Sequence, residues 1–222
     1  MSSYLGSLGF SYHKMKKIDD KELDTVCLDK ESLLNRLRQE IGYCKRCELY
    51  KTRTNIVFGV GNPCTDIMFV GEAPGEEEDL KGEPFVGRAG RLLDRMLEAI
   101  GMSRKTNVYI ANVLKSRPPE NKIINYMSSI DICLPFLLRQ IEIINPKLIV
   151  CLGTIAAHAL LKIKEPITKI RGRFYMYDKS IKLIATYHPS YLLRNPYAKK
   201  EAWEDLKKIK EMIVKLREVE SV

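Results

Sequence analysis

No apolar run in this 222-residue chain approaches the ~20 residues that a membrane-spanning helix needs, so no membrane span is expected. Met1 to Lys17 holds no apolar stretch of the ~7–15 residues that form the core of a secretory leader. Internal repeats and low-complexity segments are also missing. Acidic residues are in deficit: 28 Asp and Glu face 37 Lys and Arg, a net charge of +9. Such a balance suits a polyanionic partner, because each phosphate neutralised releases counterions, although a basic surface can serve solubility alone. A soluble, cytoplasmic protein is expected. In that reducing compartment the six cysteines are not expected to form a disulfide framework. Cys151, inside the run Leu148–Leu152, reads as a core residue.

What is present is an alternation. The stretch over 1–25 lacks sustained periodicity and reads as a poorly ordered extension, leaving a single domain over 26–222. A helix is predicted from Lys30 to Ile41, with Leu33, Leu34, Leu37 and Ile41 at helical spacing. Short apolar runs at Ile67–Val70, Val108–Asn112, Leu148–Leu152 and Leu183–Tyr187 read as buried strands. Helical patterns lie between them at Arg88–Ile100, Ile130–Ile143 and Thr154–Leu161, and a charged helix from Lys199 to Glu218 closes the chain. This order predicts a three-layer α/β/α sandwich around a mainly parallel four-stranded sheet, with ligands bound beyond the carboxyl ends of the strands. Unusual polar sequence stands at those ends: Gly71-Glu72-Ala73-Pro74-Gly75, Asn112 and His188-Pro189-Ser190. Taken singly each fits an ordinary turn, a cap or a loop histidine. Their joint placement points to a site.

With these segments the chain resembles the iron–sulfur uracil-DNA glycosylases, the fourth family of that superfamily. The resemblance rests on Cys44-Lys45-Arg46-Cys47, the run from Gly71 to Asp79, Pro84 to Gly90, Asn112 to Asn121, Pro135 to Gln140, and His188-Pro189-Ser190, and it spans roughly Leu34 to Leu206. It implies a monomeric, monofunctional enzyme of base excision repair that hydrolyses the bond between uracil and deoxyribose in DNA, leaving an abasic site. No lysine stands out as a Schiff-base nucleophile for a lyase step. A glycosylase for another deaminated base, or a non-catalytic DNA-binding module, are the competing readings.

The resemblance implies roles. Phe85 stacks on the extruded uracil and Asn112 reads its polar edge, so that a base presenting the wrong edge leaves polar atoms unpaired. His188 donates to the uracil oxygen that gains charge, and the backbone of Gly71, Ala73 and Gly75 lines the pocket. Pro189 and Ser190 grip the DNA backbone, while Leu192, Leu193 or Arg194 enters the gap left by the flipped base. Ala73 stands where other families of the superfamily carry a water-activating Asp or Asn. The water must then be held by Glu72, Glu78 or Asn121, with Glu78 and Asn121 the favoured pair. An acidic first helical turn, favoured by the helix dipole, is the structural explanation of Glu76–Asp79.

The resemblance also implies a 4Fe–4S cluster on four cysteines. Cys44, Cys47 and Cys133 match, but Ser116 occupies the third position. Thiolates are the ordinary ligands of such clusters and a serine oxygen is harder. Either a three-cysteine cluster persists or the cluster is lost; the Cys-x-x-Cys pair alone would also suit zinc.

Overall fold

The computed structural model describes residues 20–218. Helix α1 (Asp20–Ile41) leads, followed by β1 (Val60–Gly61), β2 (Ile67–Gly71), α2 (Glu76–Lys81), α3 (Arg88–Ala99) and β3 (Tyr109–Asn112). Then come α4 (Ser128–Ile144), β4 (Leu148–Leu152), α5 (Thr154–Leu161), α6 (Ile167–Ile170), β5 (Phe174–Met176), β6 (Lys182–Thr186), α7 (Pro189–Arg194) and α8 (Lys199–Glu218). The sheet has six strands in the order β1-β3-β2-β4-β6-β5. Its four inner strands are parallel, and β1 and β5 are antiparallel edges. The count of four strands is therefore corrected to six. Two- and three-residue edge strands leave no apolar run to read.

The inner strands form because their sequences are apolar throughout: every residue of β2, β3 and β4 is buried. Successive side chains point to opposite faces. Met68, Val70, Ile149 and Cys151 meet Leu34, Leu37 and Ile41 of α1 and Leu137, Ile141 and Ile144 of α4. Ile67, Phe69, Leu148 and Val150 meet Leu93 and Leu97 of α3 and Leu206, Ile209 and Ile213 of α8. Two helical layers thus cover the sheet, as expected. Each fully buried side chain of this kind contributes roughly 1.5–3 kcal/mol.

Because β3 and β4 lie on opposite sides of β2, the chain reverses direction across the sheet after β2. That reversal opens a crevice beyond the strands' carboxyl ends. The register pairs Gly71 with Asn112 and Leu152 with Thr186, so the polar segments after these strands start level with one another.

Two further expectations need correction. Helix α1 starts at Asp20, inside the stretch read as an extension, and Leu33 is exposed on it; residues 1–19 lie outside the described residues. The longer helix carries Cys27 to Cys64, and the two form a disulfide with Cα atoms 5.5 Å apart. One pair of the six cysteines is therefore linked, a pairing the sequence reading did not foresee. Cys44, Cys47, Cys133 and Cys151 remain free thiols.

Candidate active site

A cavity of about 460 Å³ sits in the crevice. It is lined by Glu72, Ala73, Gly75, Glu78, Phe85, Asn112, Asn121, His188, Ser190 and Arg194 among others. Residues spread over more than 120 positions of sequence are thereby brought to one place.

Gly71 is the floor. A Cβ there would overlap both Asn112 Oδ1 and the Phe85 ring, so only glycine lets the two side chains converge. Phe85 itself has φ +56°, a left-handed conformation that costs a non-glycine residue of order 1–3 kcal/mol. Arg104 holds it there: Nη2 donates to the Phe85 carbonyl (2.6 Å), Nη1 to the Pro84 carbonyl (3.0 Å), and Nε to Asp94 Oδ1 (2.7 Å). Gly90 makes room beneath, since a Cβ on it would overlap the Phe85 carbonyl group. Sequence reasoning missed Arg104, which lies about twenty positions from the loop it supports and carries no motif.

Asn112 is 1% exposed, and its Oδ1 is the one buried side-chain polar atom among the described residues without a hydrogen-bond partner. An orphaned buried acceptor costs roughly 1–3 kcal/mol, so its presence beside a cavity calls for a donor from outside. The Asn112 backbone carbonyl, by contrast, accepts from Lys115 Nζ (2.8 Å), which also donates to Gln140 Oε1 (2.6 Å). Complete burial lowers the Lys115 pKa to about 8.

His188 faces the tilted Phe85 ring at a centroid distance of 5.5 Å. The Ser190 backbone N–H donates to His188 Nδ1 (3.1 Å), and Ser190 Oγ lies 2.7 Å from the same nitrogen. A backbone N–H can only donate, so Nδ1 is an acceptor and the ring proton sits on Nε2. Burial, with help from Arg194, depresses the His188 pKa to about 4, which keeps the ring neutral near pH 7. Gly153, with φ +92°, lets the turn approach, for its missing Cβ would lie 3.0 Å from His188 Cβ. Ser190 thus orients the histidine.

The three water-positioning candidates separate. Glu78 Oε1 accepts from the backbone N–H groups of Val86 (2.9 Å) and Gly87 (2.8 Å), and Oε2 accepts from Gly75 N–H (3.0 Å). The carboxylate ties the N-termini of α2 and α3 together. Asn121 is exposed, has φ +59°, and its Oδ1 accepts from Arg117 Nε (2.9 Å). Glu72 stands in the cavity wall, and burial raises its pKa above the ordinary carboxylate value. Leu192 is 1% exposed within the core beside α3, so it has no access to DNA. Pro189 is buried, Leu193 half-buried and Arg194 exposed on the rim. Tyr187 and Tyr191 line the cavity too and were not anticipated.

The model of the uracil DNA glycosylase superfamily matches residues 58–207 of this sequence, which hold all these cavity residues. The chain belongs to that superfamily. Its relatives include the type-4 uracil-DNA glycosylase of Archaeoglobus fulgidus, 46% identical over 81% of this chain and 92% of the relative. That of Thermotoga maritima is 46% identical over 84% and 97%. That of Sulfurisphaera tokodaii is 45% identical over 82% and 85%. No helix of the described residues is long and apolar enough to cross a membrane.

Beneath this glycosylase site, Cys44, Cys47, Cys133 and Ser116 line a second, small cavity with Arg53 and Lys115. The Lys115 backbone N–H donates to Cys133 Sγ (3.2 Å). Burial pushes the Cys133 thiol pKa up. Arg53 Nη1 donates to Ser116 Oγ (3.0 Å), and Nη2 to the Cys44 carbonyl (2.5 Å). Among the described residues no three Cys, His, Asp or Glu side chains converge tightly enough for a single metal ion.

Proposed function

We propose that this chain is a monofunctional DNA glycosylase that hydrolyses the N-glycosidic bond of uracil in DNA and leaves an abasic site for base excision repair. The observation that carries the reading is Asn112 Oδ1, buried and unpaired in the cavity that Phe85 and His188 also line. Uracil offers an N3–H donor on the edge that an extruded base would turn toward that oxygen. Cytosine offers a lone pair at the same position, so two acceptors would face each other in a dry pocket. Phe85 supplies a stacking face that any base can use, and discrimination falls to Asn112.

As the glycosidic bond breaks, negative charge collects on uracil. A neutral His188 donating Nε2–H to a uracil oxygen strengthens its hydrogen bond as that charge grows, which is transition-state stabilisation without a prior proton transfer. The sugar becomes cationic and water must attack it. Three backbone donors already occupy Glu78, so the water falls to Glu72, whose desolvated carboxylate is the better base. DNA is gripped by the net positive charge, with Pro189, Ser190 and Arg194 at the rim.

Cys44, Cys47 and Cys133 would hold three irons of a 4Fe–4S cluster, whose irons space their ligands farther apart than a single ion does. Ser116, already engaged by Arg53, suits the fourth position poorly. When bound, the cluster would cross-link the Cys44–Cys47 loop to Cys133 on α4, a structural contribution. The test of the function is release of free uracil from labelled single-stranded and U·G oligonucleotides, followed by alkaline cleavage at the abasic site. No release from either substrate would remove the enzyme reading.

A further inference from the structure

Leu192 is sealed in the core, so the end of the chain's His188 turn needs another residue to meet the DNA around the extruded base. Tyr191 is 38% exposed and lines the cavity rim beside His188 and Arg194. One face of its ring stacks on Tyr187, with centroids 5.0 Å apart and planes 27° apart. The Arg171 guanidinium lies over the Tyr187 ring, 5.1 Å from its centroid.

Everything behind Tyr191 is fixed. Asp205, 1% exposed on α8, accepts from Arg171 Nε (3.0 Å) and Nη2 (2.8 Å) and from Thr186 Oγ1 (2.6 Å). A bidentate pair of this kind sets the plane of the guanidinium as well as its position. Tyr187 Oη donates to Glu201 Oε2 (2.8 Å), so α8 holds that ring at its tip. Arg171, Tyr187 and Tyr191 form a cation–aromatic–aromatic ladder running from a buried ion pair to the mouth of the pocket. Such anchoring exceeds what a helix covering a sheet requires.

We propose that Tyr191 is a stacking platform for the nucleobase adjacent to the extruded uridine, with Arg171 and Asp205 as its positioning residues. The inference rests on the glycosylase reading of the same cavity. A flipped nucleotide leaves its neighbour with one uncovered face, and an aromatic ring already fixed on its far side covers that face at small entropic cost. Base–aromatic stacking ignores sequence, because every base has a π-face. Arg194, exposed on the same rim, offers a cation to the adjoining phosphates.

The probe is an oligonucleotide carrying 2-aminopurine beside a 2′-fluoro-uridine that resists hydrolysis, measured as a single strand and as a duplex, with the aminopurine on either side. In the wild-type complex the aminopurine emission stays quenched from one side. Tyr191→Ala is expected to relieve the quenching and weaken binding by about 10-fold or more, while Tyr191→Phe keeps both. Arg171→Met shifts the emission in the same direction with the melting temperature monitored alongside. Unchanged quenching and affinity in Tyr191→Ala, in protein that still releases uracil from the ordinary substrate, would overturn the platform and leave the enzyme reading intact. Wild-type protein that neither binds the probe nor releases uracil would remove both.

Discussion

Glu78 reaches from the first turn of α2 to the backbone N–H groups of Val86 and Gly87 at the start of α3, at 2.9 and 2.8 Å. Its second oxygen closes on Gly75, the N-cap of its own helix. A carboxylate spent in this way organises the loop that presents Phe85 and has little capacity left for water. Glu72, across the turn, has the opposite situation: half-buried in the cavity wall, with desolvation raising its pKa. Glu78→Gln replaces one acceptor oxygen with an N–H₂ group facing backbone donors, and should cost about 3 kcal/mol of stability. Its kcat should fall through misplacement of Phe85. Glu72→Gln should lower kcat sharply with no loss of stability. Since the fold favours the neutral form of Glu72, removing its charge is neutral or stabilising near pH 7. Thermal melts beside single-turnover rates decide the assignment; equal stability loss in both variants would contradict it.

The pH profile follows from His188 and Glu72. His188 titrates at about 4 in the fold, so its neutral donor form persists down to acid pH and contributes no limb between about 5 and 8. Glu72 must be ionised to act, and its pKa is raised, so rate should fall on acidification at a pH above the ordinary carboxylate range. The limb should vanish in Glu72→Gln. His188→Ala should lower the rate by ~10²-fold at all pH values without moving the limb. A limb near pH 6.5 that disappears with His188 would show that the histidine works as a cation.

Removing the Cys27–Cys64 link releases a 37-residue loop from constraint. In the chain-entropy model that costs up to about 4 kcal/mol, or roughly a 10 °C lower melting temperature. Cys27→Ser with Cys64→Ser should show the drop in oxidised protein, and wild type under reductant should match the double variant. Activity at 25 °C should be unaffected, because neither cysteine lines the cavity. Equal melting temperatures with and without reductant would show that the two thiols do not pair in solution.

Much of the frame was legible because it is written in local pattern. Ile67–Val70 and Leu148–Leu152 are short, apolar without interruption and bounded by turn residues, the pattern of strands buried on both faces. Asn112 and His188 were legible because they stand at the carboxyl ends of such strands. Features built by distant contacts were not. Nothing near Phe85 announces Arg104, and nothing in the tripeptide Phe174–Met176 marks an edge strand. Leu192 read as an exposed wedge because its motif ends in a loop-like Pro-Ser, whereas α7 turns it inward against α3. Lys199–Glu218 read as a charged closing helix, and its many charges concealed Glu201 and Asp205, which accept from Tyr187 and Thr186.

The metal site gives the most exposed prediction. Three free thiols line one cavity, and the fourth corner is held by Arg53 bridging Ser116 Oγ and the Cys44 carbonyl. This bridge joins the same two segments that a fourth metal–thiolate bond would join. The fold should therefore survive without iron, and iron at that corner should be the first to leave. Protein purified without oxygen should be brown, with iron and sulfide in near-equal amounts, and should bleach on exposure to air. Ser116→Cys should slow the release of iron to a chelator by at least about 10-fold, a factor that corresponds to one added ligand bond of modest strength. Arg53→Met in the metal-free protein should expose the Cys44–Arg53 segment to protease while leaving the sheet's melting transition in place. Anaerobic protein that is colourless and free of iron would eliminate the cluster, and full uracil release by that preparation would show that the Arg53–Ser116 bridge suffices to hold the segment leading from Asn112.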